Sequence, residues 1–534
     1  MVKRLLISLI VVLALFAVMG AAIAVAEEPE GAPDTGIGAT ELITTTEEVT
    51  GTEEITGTEE VTPTVEPTEE PVDEPPEVVA PPDVFEPTEE DLEEEKVEKE
   101  SAPPAVVMSG PALIQGFPTG TWATGVQIQN IGDQQGQVFL VYYDMDSTAT
   151  YTSSVTSVDA GASTTYYLDP VLPDGFRGSG VAYSDQPIRA VVNETNLSGF
   201  QRGSYNGFTA GSSRIDFPLV KLSYGASAAS TTLVVQNVGN AAANLDVKFT
   251  ATTGEKYYAS YTSIDPNNSQ LIEPSDATGM PAVFLGSATV TGTQDIVGMY
   301  NEFASGGKTM VGTGFPAGIA STTLYVPLVK KTYGASNASV GIMVQNVGSS
   351  SGQVYVAYKA GTTTYNSDDW GRTLDPGASW AWYLDSALPD AFVGSAVVTG
   401  TQDMVAIVNE QTATTGAANS AFASSEPTTL ISVPLVKKVY GASAGSVGIQ
   451  VQNTSGSSGQ VYVTYKTGTT EYQSANWGAT VEAGASETWY LDSALPNGFL
   501  GSATISSTAD IVAITNEVSS GGDLYSTNAF NLSP

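Results

Sequence analysis

From about residue 110 onward, apolar and polar positions alternate with a period of two. Ile342, Val344 and Asn346 alternate with Met343 and Gln345. Val354, Val356 and Tyr358 alternate with Tyr355 and Ala357, and Val405, Ile407 and Asn409 with Ala406 and Val408. This is the pattern of half-buried β-strands. On that parity Asn409 points into a core with Val405 and Ile407, and Glu410 points out to solvent. Clusters such as Gly348-Ser349-Ser350-Ser351-Gly352 separate the runs and read as turns. No segment of this region keeps a helical period.

The alternation is itself repeated. An Asn closes a strand at Asn130, Asn237, Asn346 and Asn453. A Phe recurs at Phe176, Phe284, Phe392 and Phe499, each followed two residues later by Gly-Ser. An Asn-Glu pair recurs at Asn193-Glu194, Asn301-Glu302, Asn409-Glu410 and Asn516-Glu517. Pro-Leu-Val-Lys opens at Pro218, Pro327 and Pro434, and Ala112-Leu113-Ile114-Gln115 replaces it in the first copy. The period is about 107–109 residues. Seven to nine short strands in about 100 residues predict a two-sheet sandwich of immunoglobulin type. The expected architecture is all-β: four tandem immunoglobulin-like β-sandwich repeats at 109–213, 214–322, 323–430 and 431–534. Repeat two departs most, with no clear Pro-Gly-Ala-Ser turn.

The first hundred residues differ in kind. Lys3 and Arg4 precede an apolar run, and Ala24-Val25-Ala26 offers a small-residue cleavage site, which predicts a signal peptide over 1–26. An uncleaved anchor is the alternative, because the run is nearly long enough to span a bilayer. Residues 27–108 are rich in Thr, Glu, Pro and Val and read as a disordered acidic linker or stalk, with its threonines open to glycosylation. No transmembrane segment is expected after cleavage.

Charge narrows the function. The 534 residues carry 58 Asp and Glu against 19 Lys and Arg, a formal net charge of -39. Nucleic acid is excluded as a partner, since its phosphates need Lys and Arg. The chain has no His and no Cys, which removes the commonest general base, the thiol nucleophile and soft metal ligands. No cofactor and no metal are expected, and no disulfide can brace the domains.

The strand-Asn-x-Gly turn at Asn346-Val347-Gly348, the Asp375-Pro376-Gly377-Ala378-Ser379 turn, the stretch Leu388 to Ser395 and the closing Asn409-Glu410 carry a resemblance. They resemble the tandem immunoglobulin-like, CARDB-like β-sandwich repeats of prokaryotic secreted and cell-surface proteins. The resemblance implies adhesion, scaffolding or spacing at a cell surface and carries over no catalytic residue.

Two sets of residues are candidates for chemistry. Trp370 and Trp477 hold equivalent loop positions in repeats three and four, suited to stacking on sugar rings or anchoring a partner. The alternative is a Trp folded over a sheet edge. Lys221, Lys330 and Lys437 open their repeats, and Asn301, Asn409 and Asn516 close them. A Lys–Asn isopeptide bond would join such pairs if an acid, Asp385 or Asp492, stood by to shuttle protons. The alternative is a Lys snorkelling from an edge strand. Asp144, Asp146, Asp368 and Asp369 lack the ligand spacing of a Ca²⁺ loop and read as solvated acids. The chain is therefore expected to be a non-enzymatic, secreted or cell-surface structural or adhesive protein. Its partner would be an extracellular protein or a polysaccharide surface. The alternative is an array of carbohydrate-binding modules using Trp370 and Trp477.

Overall fold

The computed structural model describes residues 105–112, 122–167, 169–197, 201–305, 307–520 and 524–532, the first of these in backbone only. The predicted signal peptide and all but the end of the predicted linker lie outside the described residues, as does Gln115. The fold is all-β. Among the described residues the one helical element is a 3-10 turn, Pro274–Asp276.

Each repeat is a two-sheet antiparallel sandwich, seen most simply in repeat three. One sheet runs in the order Thr363–Asn366, Gly352–Ala360, the first half of Phe392–Gln411, Ser321–Lys331 and Phe422–Ala423. The other runs Ser379–Tyr383, Ser339–Asn346, the second half of Phe392–Gln411 and Gly416–Ser420. The 20-residue strand Phe392–Gln411 thus bends from one sheet into the other. Repeat one makes the same bend with two strands, Gly178–Ser184 and Ile188–Asn196, divided at Pro187, whose ring removes a ladder N–H. Ser339–Asn346 pairs with Ser379–Tyr383, as second and fifth strands do in an immunoglobulin sheet. The opening strand departs from that arrangement. It joins the sheet of Gly352–Ala360 instead of lying beside the second strand. In repeat one this opening strand is Ala105–Ala112, so the sandwich starts inside the stretch expected to be linker.

The recurrent Asn at the end of the second strand organises the adjoining loops. Asn346 Nδ2 donates to the carbonyls of Ser350 (2.8 Å) and Leu374 (2.8 Å), and its Oδ1 accepts the Gly348 N–H (2.9 Å). Asn130, Asn237 and Asn453 make the same three bonds in their repeats. A buried amide is stable only when so satisfied. Repeat two keeps the turn that its sequence obscured. Asp265-Pro266-Asn267-Asn268 takes the place of Asp375-Pro376-Gly377-Ala378, with Asn267 at φ 63° where repeat three has Gly377 at φ 83°. Asn is the side chain that best tolerates this left-handed backbone.

The second sheet is not half-buried. All eight residues of Ser446–Asn453 are buried, and so are Met343 and Gln345, the predicted solvent positions of repeat three. Ile342 and Val344 pack in the core of repeat three, while Met343, Val405, Ile407 and Ala418 join the core of repeat two. Val234, Met299 and Val311 of repeat two likewise join the core of repeat one. Each repeat therefore buries the outer face of its second sheet against the repeat before it. This reverses the predicted parity of the closing strand. Met404, Ala406 and Val408 face their own core, and Val405 and Ile407 face the neighbour. Glu410, expected in solvent, is buried.

The stacking closes on itself. A buried Ser from each Phe-x-Gly-Ser stretch donates to a turn carbonyl of the next repeat: Ser179 to Asn267 (2.5 Å), Ser287 to Gly377 (2.5 Å) and Ser395 to Gly484 (2.7 Å). Ser502 of repeat four donates to Gly161 of repeat one (2.8 Å). The same four carbonyls accept an amide N–H from Gln236, Gln345, Gln452 and Gln129 of their own repeats. Ser432 also bonds Gln129 across the last boundary. Four equivalent boundaries make a ring with approximate four-fold symmetry.

A closed ring makes the boundary between repeats four and one equivalent to the interior ones. Ser502→Ala and Ser395→Ala should each lower unfolding stability by about 1–2 kcal/mol. Denaturant titration of the two variants checks this; a silent Ser502→Ala beside a destabilising Ser395→Ala would mean that the ring opens at that seam.

Candidate functional site

The centre of the ring is built from the strand that follows each Asn-Glu pair. Arg202–Asn206, Thr309–Thr313, Gly416–Ser420 and Leu524–Asn528 each contact the next in cyclic order, the last contacting the first. They approach closely where side chains are small: a Cβ on Gly203 would lie 2.0 Å from Val311 Cγ2. The contacts of repeat four are polar. Arg202 donates to the Tyr525 hydroxyl (3.0 Å), Asn206 Nδ2 to the Asn528 carbonyl (2.7 Å), and Asn419 Nδ2 to Ser526 Oγ (2.9 Å). Asn528 and Ser420 exchange two bonds, of 2.8 and 2.9 Å.

At one end of this axis a basin of about 280 Å³ opens, with walls from all four repeats. Phe208 and Phe315 stand at its sides, and Asn206, Asn419 and Glu426 are among the polar groups. The Oδ1 atoms of Asn206 and Asn419 are buried without a hydrogen-bond partner. The Glu426 carboxylate accepts the Ala423 N–H (2.5 Å), and its backbone carbonyl accepts Asn531 Nδ2 (2.8 Å). Burial pushes the carboxyl up to about 7, against the smaller opposing effect of the Ala423 N–H. No Lys or Arg is among the described residues that line the basin. The sequence reading missed this site. Its one visible signal was that Ser425-Glu426-Pro427 stands where repeat two has Gly318-Ile319-Ala320.

The Lys and Asn positions meet other partners than each other. Lys221 Nζ lies 2.7 Å from Glu302, Lys330 Nζ 2.6 Å from Glu410, and Lys437 Nζ 2.8 Å from Glu517. Successive strand residues face opposite ways, so a lysine that reaches Glu410 is on the far face from Asn409. The Asn looks toward the adjacent repeat instead: Asn516 Nδ2 donates to Glu410 Oε2 at 3.0 Å. The expected Lys–Asn pairs (Lys221 with Asn301, Lys330 with Asn409, Lys437 with Asn516) are therefore replaced by Lys–Glu ion pairs. Asp492, the expected proton shuttle, accepts the Tyr465 hydroxyl, Ser474 Oγ and the N–H groups of Ala475 and Ala494. Burial alone would raise its carboxyl, but these donors outweigh it and hold it below the usual range.

Trp370 and Trp477 are exposed on matched loops, at 47% and 43%. Each meets a Tyr from the neighbouring strand edge-on: Tyr355–Trp370 at 5.2 Å and 61°, Tyr462–Trp477 at 5.2 Å and 62°. The expected fold-back over a sheet edge is thus only partial. Trp382 and Trp489 are core residues. Of the acids considered for Ca²⁺, Asp146 pairs with Arg177, Asp369 with Arg372 (3.1 Å), and Asp368 accepts Ser386.

No family model matches the chain, and no curated protein matches it. Among solved structures it is similar to one titled "Crystal structure of tetra-tandem repeat in extending region of large adhesion protein". The identity is 14%, over 80% of this chain and 100% of that one, with a TM-score of 0.10. At that score the likeness carries no argument, and the architecture rests on the strand pairing above.

Two outcomes follow from these groups. Removing the ammonium of Lys330 leaves the buried Glu410 carboxylate without its counter-ion, so Lys330→Ala should cost about 3–5 kcal/mol of stability, measured by chemical denaturation. A Lys330→Met, Glu410→Leu double variant should recover most of that loss. Glu426 holds its proton more tightly folded than unfolded, so its contribution to stability is fully present below the unfolded value near 4.5. It is lost as pH rises through about 7. Glu426→Gln should accordingly be more stable than the parent at pH 8 and equal to it near pH 4, as the difference between two melting profiles.

Proposed function

We propose that this chain is a non-enzymatic structural or adhesive protein of the cell exterior, in which an acidic stalk presents a rigid ring of four β-sandwiches. One observation carries the reading: the residues common to the repeats are spent on holding the ring together. The second-strand Asn satisfies loops, the Ser latches a turn carbonyl of the next repeat that the Gln of that repeat also holds, and the closing Glu pairs with Lys in repeats two to four. A scaffold whose recurrent polar groups are consumed in packing presents its distinguishing chemistry on what varies between copies.

The exposed aromatic pairs favour one form of adhesion. Tyr355 with Trp370, and Tyr462 with Trp477, present two equivalent apolar surfaces at fixed spacing on one rigid body. Such surfaces suit sugar rings, and two weak contacts on one body reinforce each other. An extracellular polysaccharide is thus the preferred partner within this reading.

Binding of the full chain to immobilised polysaccharides tests the proposal. Trp370→Ala with Trp477→Ala should reduce retention at least tenfold, each single change having a smaller effect, with the melting temperature unchanged. Retention unaffected by the double change would remove the carbohydrate reading, and turnover of a bound polysaccharide would remove the non-enzymatic one.

A further inference from the structure

The axial basin is separate from the aromatic pairs and has a chemistry of its own. It exists only because the ring closes, since its walls come from all four repeats. Each of its three Asn side chains places one amide N–H in a bond to a neighbouring repeat: Asn206 to Asn528, Asn419 to Ser526, and Asn528 to Ser420. What remains unpaired is acceptor, the Oδ1 atoms of Asn206 and of Asn419, the latter side chain 8% exposed. A buried acceptor left without a donor is destabilising until a ligand supplies one. Glu426 is the one carboxylate among the described residues of the lining, which also includes Phe208 and Phe315.

We propose that the axial basin binds a small organic cation, an alkylammonium group donating to Glu426, Asn206 and Asn419 with its carbon chain against Phe208 and Phe315. An ammonium brings three donors and no acceptor, which complements this lining, and its charge is attracted to aromatic faces. A sugar brings no positive charge to meet a carboxylate or an aromatic face. A Ca²⁺ ion takes six or more oxygens, and one carboxylate is a poor start. The size of the basin, about 280 Å³, suits a small molecule. Arg189 lies over the Phe530 ring of the lining at 5.8 Å. Tyr205, the other titratable group of the lining, is buried and has its hydroxyl held neutral by that burial.

Calorimetric titration of the full chain with n-butylammonium, at pH 8.5 and pH 5.5, tests the site. Glu426 is charged only at the higher value, and the parent and a Glu426→Gln variant share the same stalk, so the stalk's contribution cancels between them. Binding should be at least ~10-fold tighter at pH 8.5, as expected for a carboxyl titrating near 7. Glu426→Gln should bind weakly at both pH values, with its fold verified by melting. Equal affinity at the two pH values, or equal affinity in parent and variant, would overturn the proposal. So would binding of Ca²⁺ or of methyl glucoside in the amine's place. If the variant failed to fold, the pH dependence of the parent would still decide.

Discussion

Everything in this molecule depends on burying the second sheet of each sandwich on both faces. An isolated sandwich of about 100 residues buries one face of each sheet and leaves the other in water. Here the outer face of the second sheet carries Val234, Met299 and Val311 in repeat two and Met343, Val405 and Ile407 in repeat three. Leaving such residues exposed would forgo about 1.5–3 kcal/mol each. Covering them with the preceding repeat recovers that energy, and doing so four times brings the last repeat back to the first.

Closure also explains how the domains stand without disulfides. A linear array of four repeats would present one uncovered second sheet at its first copy. In the ring, repeat four covers the Gln129 face of repeat one, through Ser432 and through the Ser502–Gly161 bond. The price is a set of buried polar groups that must be matched across boundaries. The latch serines meet that demand at all four boundaries, on turn carbonyls that the Gln of the next repeat also holds, and Asn516 bonds Glu410 across one of them.

Symmetry is broken where matching is least demanding. Around the axis, repeats one and two meet through Gly203 and Val311, and repeats two and three through Met310 and Gly416. Repeat four meets its neighbours through Asn, Ser, Tyr and Arg. Glu426 occurs in repeat three alone, after an axial strand and beside a proline, and among the described residues no ion pair draws its carboxyl down. Identity between repeats thus records what holds the ring, and differences between them mark where the basin and the exposed aromatic pairs acquire their character.

The all-β class, the four copies, the Asn-anchored turns and the core Phe residues were legible in the sequence, because each follows from local periodicity or from the needs of one buried group. Which face of a strand looked inward was not. Val405, Ile407 and Asn409 lie on one side of their strand and Met404, Ala406 and Val408 on the other, so both sides are apolar and alternation cannot choose between them. That choice was made by a neighbouring repeat, and it moved Glu410 from solvent to a buried ion pair and parted each Lys from its expected Asn. The basin was illegible for the same reason. Phe208, Phe315, Asn419 and Glu426 are about 107, 104 and 7 residues apart in sequence, and only closure of the ring brings them to one place. The sequence by itself determined the sandwich and its repetition, while tertiary packing decided the facing of each sheet, the ring, and the site at its centre.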